Sequence, residues 1–414
     1  MNDLLGFTAI VIVSVITVFL ALRWPAISKI LLTALAIRIF VMLLGHYVIT
    51  LPDSTADAIT FESIAWSHSL RDINSIDHQS FSSYLKFYEG PSSQFISFFY
   101  GIFYYFLGRS ILLLQSISLL FGIGSIFLGW KISNKLWDIH VANKVGWVMV
   151  FFPSLILYSV LTMKEVYVSF FLLLALYGVV KWVKTDKFIS FFLALAGFMG
   201  GIFFHGSVIV GAIVFVLIVG LSNLKKIYIS PTRFRFNYKI FTFLLLFTLL
   251  SVSFLTNKIK VSYLGNFERI SDITKLLHKT TVNTKGNASW PEWLKINSSS
   301  SSEIFYKLPA RVVYFLYAPF PWDVKKVSHL IGVFDSFLYM YLTYLIFCNR
   351  KAIWRNPATR VILIIFLTYI FTYGIGVGNF GTGIRHRSKF VIIMLLLAAP
   401  LIKKFIFSKK LDKV

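Results

Sequence analysis

Long apolar runs constrain the fold of this chain more than any other feature of its sequence. A helix that crosses the hydrocarbon core of a membrane needs about 17–25 apolar residues. Eleven runs are candidates: 4–22, 30–49, 110–130, 145–163, 166–180, 188–204, 207–222, 240–256, 329–347, 361–378 and 390–407. Two shorter apolar stretches, 93–108 and 309–321, are interrupted by Pro or Gly and are predicted to be interfacial or re-entrant helices. The pattern predicts one all-α polytopic membrane domain over 1–414.

Composition excludes the main alternatives to a membrane protein. Hydrophobic residues make up 57% of the chain and charged residues 14%, whereas soluble domains average about 45–50% apolar and about 25% charged. Cys348 is the one cysteine, so the sequence excludes a disulfide scaffold.

The net charge of +24 is explained mostly by orientation in the membrane. Eleven spans place the two termini on opposite sides, and the lysine-rich tail is predicted to be cytoplasmic. The segments on that side carry 22 Lys and Arg residues against three acids; they are 23–29, 131–144, 181–187, 223–239, 348–360 and the tail. The N-terminus is therefore predicted to lie outside, and the charge does not indicate a nucleic-acid partner.

The first of two polar outer segments, 50–109, contains candidate catalytic carboxylates. Ala58, Phe61 and Ala65 recur at helical spacing, which predicts an amphipathic helix on the membrane surface. Asp53 or Asp57 is a candidate general base, and each could instead cap the helix. Glu62 is a third candidate. A divalent metal held by these carboxylates with substrate phosphates stays an open alternative, although no zinc spacing or phosphate loop is present.

Further candidates lie at predicted outer turns and in the second outer segment, 257–328. Lys164 and Glu165 form a charged turn between two spans, which is either a substrate contact or a self-neutralising pair. His205 lies at the next outer turn, where a structural role is the alternative. Arg311 precedes a Pro- and aromatic-rich elbow whose Trp322 is typical of an interfacial anchor.

The stretch 376–389 contains the strongest candidate for anion binding. Its glycines are followed by Arg385, His386 and Arg387. Arginine forks match phosphate oxygens bidentately, and basic residues on the outer side run against the positive-inside preference. The alternative is contact with anionic lipid headgroups.

The ordered motifs resemble those of GT-C membrane glycosyltransferases, in particular bacterial family-39-like and O-antigen-polymerase-like proteins. The motifs are Asp57-x-x-x-Phe61-x-x-x-Ala65, Phe152-Pro153-Ser154 with Tyr158-Ser159 and Lys164-Glu165, Pro309-x-Arg311, Pro319-Phe320-Pro321-Trp322, and Asn379-x-Gly381-Thr382 before Arg385-His386-Arg387. The resemblance implies a loop carboxylate as base, Asp57 or Asp53. It also implies polyprenyl (di)phosphate binding by Arg385 and Arg387, with Arg311 and Lys164 as further candidates.

Three hypotheses follow from these residues. The first is an enzyme of the bacterial cytoplasmic membrane that transfers a sugar or glycan from a polyprenyl-(pyro)phosphate donor to a sugar hydroxyl at the outer face. The second is a flippase for the same lipid-linked glycan, which would need a charged cavity near the bilayer midplane. The third is a scaffold in envelope assembly. Membrane lipids and other polysaccharide-assembly proteins are the further candidate partners, and polymerase and single-sugar transferase are not distinguished.

Overall fold

A computed structural model describes residues 2–55, 57–74, 94–229, 290–295, 302–324 and 327–402. These residues form helices and no strand, which confirms the all-α prediction. Five helices are long and apolar enough to cross a membrane, or six if a bent pair counts as one span. The chain is thus a multi-pass membrane protein. The predicted span 240–256, residues 75–93 and most of 257–328 lie outside the described residues.

The helices in chain order are α1 (Asn2–Arg23), α2 (Pro25–Tyr47), α3 (Asp57–Asn74), α4 (Phe95–Leu107), α5 (Ile111–Leu136), α6 (Ile139–Phe151), α7 (Pro153–Val160), α8 (Glu165–Thr185), α9 (Phe188–Phe204), α10 (Ile209–Ile229), α11 (Ser302–Tyr317), α12 (Val327–Cys348), α13 (Arg350–Arg355), α14 (Pro357–Gly376), α15 (Phe380–Ser388) and α16 (Val391–Ala398). Short 3-10 turns lie at Gly206–Val208, Glu292–Leu294, Pro321–Asp323 and Ala399–Leu401. The long candidate spans are α1, α2, α5, α8 and α14.

The exposure of apolar side chains distinguishes the periphery of the bundle from its centre. Helix α1 leaves Leu4, Val11, Val15, Phe19 and Leu22 exposed, as expected of a helix that faces lipid. Helix α16 is apolar on every side and all eight of its residues are buried. A helix that is apolar all round is stable only when it is surrounded by protein or lipid, and α16 packs against α12, α14 and α5.

The predicted span 145–163 is broken. Helices α6 and α7 meet at an angle of 61°, with Phe152 in an extended conformation and Pro153 at the first position of α7. Proline cannot donate a backbone hydrogen bond, and its ring clashes with the preceding turn. Arg38 of α2 donates to the carbonyl oxygens of Met149 (3.1 Å) and Val150 (3.3 Å) at the end of α6. The carbonyl groups at the break are therefore hydrogen-bonded to a buried side chain.

Helices α8 and α9 cross at two small residues on each side. A Cβ atom built on Gly178 would lie 2.3 Å from the backbone N of Ala194, and one on Gly197 would lie 2.2 Å from the N of Ala175. Small residues at such crossings let the two backbones approach closely. This crossing positions the start of α8 and the end of α9, which both border the site described below.

We expect Gly178→Ala to destabilise the protein by about 1–3 kcal/mol, because the added methyl group overlaps backbone that cannot move aside. Gly220→Ala is the matched control, since nothing lies within 4 Å of a Cβ at that position. Thermal unfolding of both variants in detergent tests this, and equal unfolding temperatures would contradict the close crossing.

Candidate functional site

The segment between α2 and α3 holds the first carboxylates of the site. Asp53 has φ of +61°, in the left-handed region, and its Oδ2 accepts a hydrogen bond of 2.9 Å from the Tyr158 hydroxyl. Asp57 is the first residue of α3. The start of α3 is attached to the segment that directly follows the broken span, because Thr162 Oγ1 donates to the carbonyl of Ala58 at 3.0 Å.

Asp57 forms an ion pair with Arg385 of α15. The Asp57 side chain is 46% exposed and the Arg385 side chain 19% exposed, so the pair lies at the mouth of the site. Burial opposes the charge of Arg385, but Glu165 and Asp57 outweigh it and raise its pKa above the usual value. Arg385 therefore stays cationic across the physiological pH range.

Helix α15 begins at a side-chain cap. Asn379 Oδ1 accepts a hydrogen bond of 2.7 Å from the backbone N of Thr382, which satisfies one of the free N–H groups of the first turn. The preceding segment is held by Trp290, whose backbone N donates to the carbonyl of Gly378 at 3.1 Å. These contacts place Arg385 and His386 in the last turn of a short, anchored helix.

A buried layer of charged groups lies behind Arg385. Lys389, directly after α15, has a side chain that is fully buried, and its Nζ lies 3.6 Å from Oε1 of Glu165, the first residue of α8. The same Nζ donates to Nδ1 of His386 at 2.9 Å. The other Glu165 oxygen, Oε2, is buried and has no hydrogen-bond partner among the described residues. This layer joins α15 to α8.

The two predicted histidines lie side by side in that layer. The His205 and His386 rings are 5.1 Å apart between centroids and nearly perpendicular. His205 Nδ1 lies 2.7 Å from Ser207 Oγ and 3.2 Å from the Tyr373 hydroxyl oxygen. Burial, followed by the charge of Lys389, holds the pKa of each histidine well below its usual value. Both imidazoles are therefore neutral at pH 7.

Lys164 completes the cluster. Burial lowers the pKa of Lys164, and the charge of Arg385 lowers it further, whereas Glu165 and Asp57 oppose the shift. Its Nζ lies 5.5 Å from the centre of the Phe61 ring on α3. The structure thus brings seven predicted site residues together: Asp53, Asp57, Lys164, Glu165, His205, Arg385 and His386.

Three predicted site residues have other partners. Glu62 accepts two hydrogen bonds of 2.9 Å from Arg109 and one of 2.8 Å from the Tyr104 hydroxyl, and its side chain is 4% exposed. This bidentate pair joins α3 to the short connection between α4 and α5. Arg311 is buried and donates to the carbonyls of four residues, which are Gly374, Leu294, Ile375 and Val377.

Arg387 points away from the mouth of the site and is completely buried. Its guanidinium donates to the carbonyls of Leu316 (3.0 Å) and Ala318 (2.7 Å) and pairs with Asp335 of α12 at 3.3 Å. Arg385 and Arg387 therefore face different parts of the protein, although only His386 separates them in the chain. Arg387 has a structural environment, and Arg385 has an accessible one.

A small cavity lies next to the broken span. Its volume is about 20 Å³, and Arg38, Tyr158, Ser159, Glu165 and Ser388 are among the lining residues. A cavity needs about 10–15 Å³ on this measure to hold one water. The cavity is therefore the size of one water molecule, and it is lined both by Arg38 of α2 and by Glu165 of the site.

The site carboxylates do not assemble into a metal-ligand set. No group of three His, Cys, Asp or Glu side chains suited to a metal ion occurs within the described part of the chain. Asp53, Asp57 and Glu62 each have a separate partner, namely a tyrosine or an arginine.

Sequence reasoning assigned no role in the site to Lys389 or Tyr158, although both stand in motifs that it singled out. Lys389 stands directly before an apolar run, where basic residues are usually interfacial anchors, and Tyr158 lies inside a predicted span. The available signal was the position of Lys389 at the end of a motif that already contains two arginines. Nothing in the sequence indicated that its side chain would point inward.

Comparison with known proteins adds no assignment to this geometry. No protein-family model matches the chain, and neither a curated protein nor a solved structure matches it.

Proposed function

We propose that this chain is a GT-C-like glycosyltransferase or polysaccharide polymerase of the bacterial cytoplasmic membrane. In this proposal it has about eleven spans, with the N-terminus outside and the C-terminus in the cytoplasm. It transfers a sugar or glycan from a polyprenyl-(pyro)phosphate donor to a sugar hydroxyl at the outer face. The product belongs to a cell-surface polysaccharide of the O-antigen or capsule type.

The observation that carries the proposal is the partly exposed pair of Asp57 and Arg385, with Lys164 nearby. Transfer from a lipid-linked donor needs a base for the acceptor hydroxyl and cations for the departing phosphate. A carboxylate and two cations lie together here. Because Asp57 is nearly half exposed, an acceptor hydroxyl can approach it from outside the protein.

The proposed step forms one bond and breaks one. The acceptor oxygen attacks the anomeric carbon of the donor sugar while Asp57 takes the hydroxyl proton. The bond between the anomeric carbon and the phosphate oxygen breaks, and its electron pair stays on the phosphate. Arg385 and Lys164 stabilise the charge that develops there. Phosphate bound to Arg385 also competes with Asp57 for the guanidinium, which frees the carboxylate to accept the proton.

We expect Arg385→Ala to reduce transfer by about 10²–10³-fold, the usual cost of removing one preorganised donor that stabilises the transition state. Arg385→Lys should retain part of the activity because it keeps the charge but not the fork. The measurement is the surface-glycan profile of a deletion strain complemented with each variant at equal protein level in the membrane. Arg355→Ala is the control, since Arg355 is exposed and lies in a predicted cytoplasmic loop. A wild-type profile with Arg385→Ala would contradict the proposal.

The same deletion strain separates the two forms of the enzyme hypothesis. Loss of a glycan ladder with a single repeat retained indicates a polymerase. A uniform shift by one sugar indicates a single-sugar transferase. An unchanged profile would disfavour both.

A flippase is the second candidate because the broken span α6–α7, Arg38 and Glu165 meet at one small cavity. Broken helices beside charged cavities are typical of transporter sites. The cavity, however, has a volume of about 20 Å³, which suits a water molecule and not a sugar. Accumulation of complete lipid-linked glycan in the cytoplasmic leaflet of the deletion strain would favour the flippase.

A further inference from the structure

The buried ion pair between Glu165 and Lys389 connects the two segments that carry the partly buried cations Lys164 and Arg385. Glu165 follows Lys164 directly in the chain, and Lys389 lies four residues after Arg385, on the same side of one helical turn. Both paired side chains are at most 2% exposed. The pair thus holds the outer end of α8 against the end of α15, and Lys164 and Arg385 sit on either side of it.

We propose that Glu165 and Lys389 are positioning residues of the phosphate site, and that the proton on Lys389 sets how strongly the site binds a phosphate group. This inference rests on the proposed function, because it assigns regulation to the same anion site. Neither residue touches the substrate in this proposal. Glu165 acts as the shared counter-ion of three cations, and Lys389 supplies a third positive charge behind the two that face the mouth.

The groups that face Lys389 come from several elements. They are Glu165 and Lys164 at the start of α8, Arg385 and His386 on α15, His205 before the Gly206–Val208 turn, and Tyr373 on α14. The two imidazoles are neutral at pH 7, so Glu165 is the one anion among these neighbours. The Lys389 ammonium also lies 5.8 Å from the centre of the Tyr373 ring, which favours the cationic form.

Burial lowers the pKa of Lys389 to about 7, although Glu165 opposes the shift. The lysine therefore carries its charge below pH 7 and loses it as the pH rises through that value. At the effective dielectric of about 20 near a protein surface, a positive charge about 12 Å from a bound phosphate monoanion changes affinity by roughly tenfold. Phosphate affinity should therefore fall above neutral pH for a reason that belongs to the protein. The second ionisation of a phosphate monoester, near pH 6, acts in the opposite direction.

The test is binding of farnesyl phosphate to the full-length protein in phosphatidylcholine nanodiscs between pH 6 and 8.5, with farnesol as the probe that lacks the phosphate. We expect wild-type affinity to fall roughly tenfold relative to Lys389→Met across this range. Lys389→Arg keeps its charge at every pH and should remove the fall while keeping tight binding. Lys351→Met, at an exposed lysine in a predicted cytoplasmic loop, is the matched control and should titrate like the wild type.

A second variant keeps the test decisive if Lys389→Met does not fold, since that change leaves Glu165 buried without its partner. The double variant Glu165→Leu/Lys389→Met removes both charges, an exchange that buried pairs often tolerate. It should bind farnesyl phosphate more weakly than the wild type, and its affinity should lack the fall above neutral pH that Lys389 causes. Equal pH profiles in the wild type and in the variants without Lys389 would overturn this inference alone. No phosphate-dependent binding by the wild type at any pH would overturn the proposed function as well.

Discussion

Replacing Asp57 by asparagine is expected to lower the rate of sugar transfer by about 10²–10⁴-fold, the usual contribution of a positioned general base. The amide cannot accept the proton of the acceptor hydroxyl, but it has almost the same shape as the carboxylate. Loss of the Asp57–Arg385 pair costs little stability because the carboxylate is 46% exposed. The measurement is the turnover of purified protein, or the amount of surface glycan at equal protein level.

Asp53→Asn is the matched variant for this experiment. Asparagine tolerates the left-handed backbone at position 53, and its amide oxygen still accepts the hydrogen bond from Tyr158. We expect less than about a tenfold loss if Asp57 is the base. The opposite ranking of the two variants would assign the base to Asp53, and full activity in both would contradict a carboxylate base in this segment.

Replacing Arg387 by methionine is expected to destabilise the protein by about 3–5 kcal/mol, because it leaves the buried Asp335 carboxylate without its partner. The carbonyls of Leu316 and Ala318 also lose their donor. We expect a low protein level in the membrane and early unfolding in detergent. Any loss of glycan in this variant should follow the loss of folded protein.

The double variant Arg387→Met/Asp335→Leu distinguishes a structural arginine from a phosphate ligand. Removing both charges should restore part of the stability, since a buried pair can often be replaced by apolar residues. Activity per folded protein should then remain near the wild-type value. Restored stability with activity still absent would show that Arg387 contributes to the site directly, as the sequence motif first indicated.

Apolar run length predicted the helices well where packing does not interrupt them. The run 188–204 coincides with α9, and 4–22 with α1 to within a few residues. Between 145 and 163 the composition alone indicated one span, whereas the chain bends at Phe152 and Pro153. Proline marked a possible interruption there. The bend is also held by Arg38, which donates a hydrogen bond to Ser159, 121 positions further along the chain. The local sequence does not indicate that contact.

The candidate site, like the helices, was predicted from the sequence only in part. Charges on the predicted outer side indicated that Asp57, Lys164 and Arg385 belong together, and the structure places them at one mouth. Sequence could not separate Arg385 from Arg387. The two differ in which neighbour their side of α15 contacts, α3 in one case and α12 in the other.

The sequence by itself determined an all-helical membrane protein and a small set of charged residues near its predicted outer face, because hydrophobic length and charge are local properties of the chain. Only the tertiary structure decided which of those charges are free to meet a ligand. A buried arginine such as Arg311 is stabilised by carbonyls that distant helices supply, and a buried lysine such as Lys389 by a glutamate on another helix. Burial keeps one of these charges away from a ligand and shifts the pKa of the other. It arises when helices pack, so the order of residues alone does not indicate it.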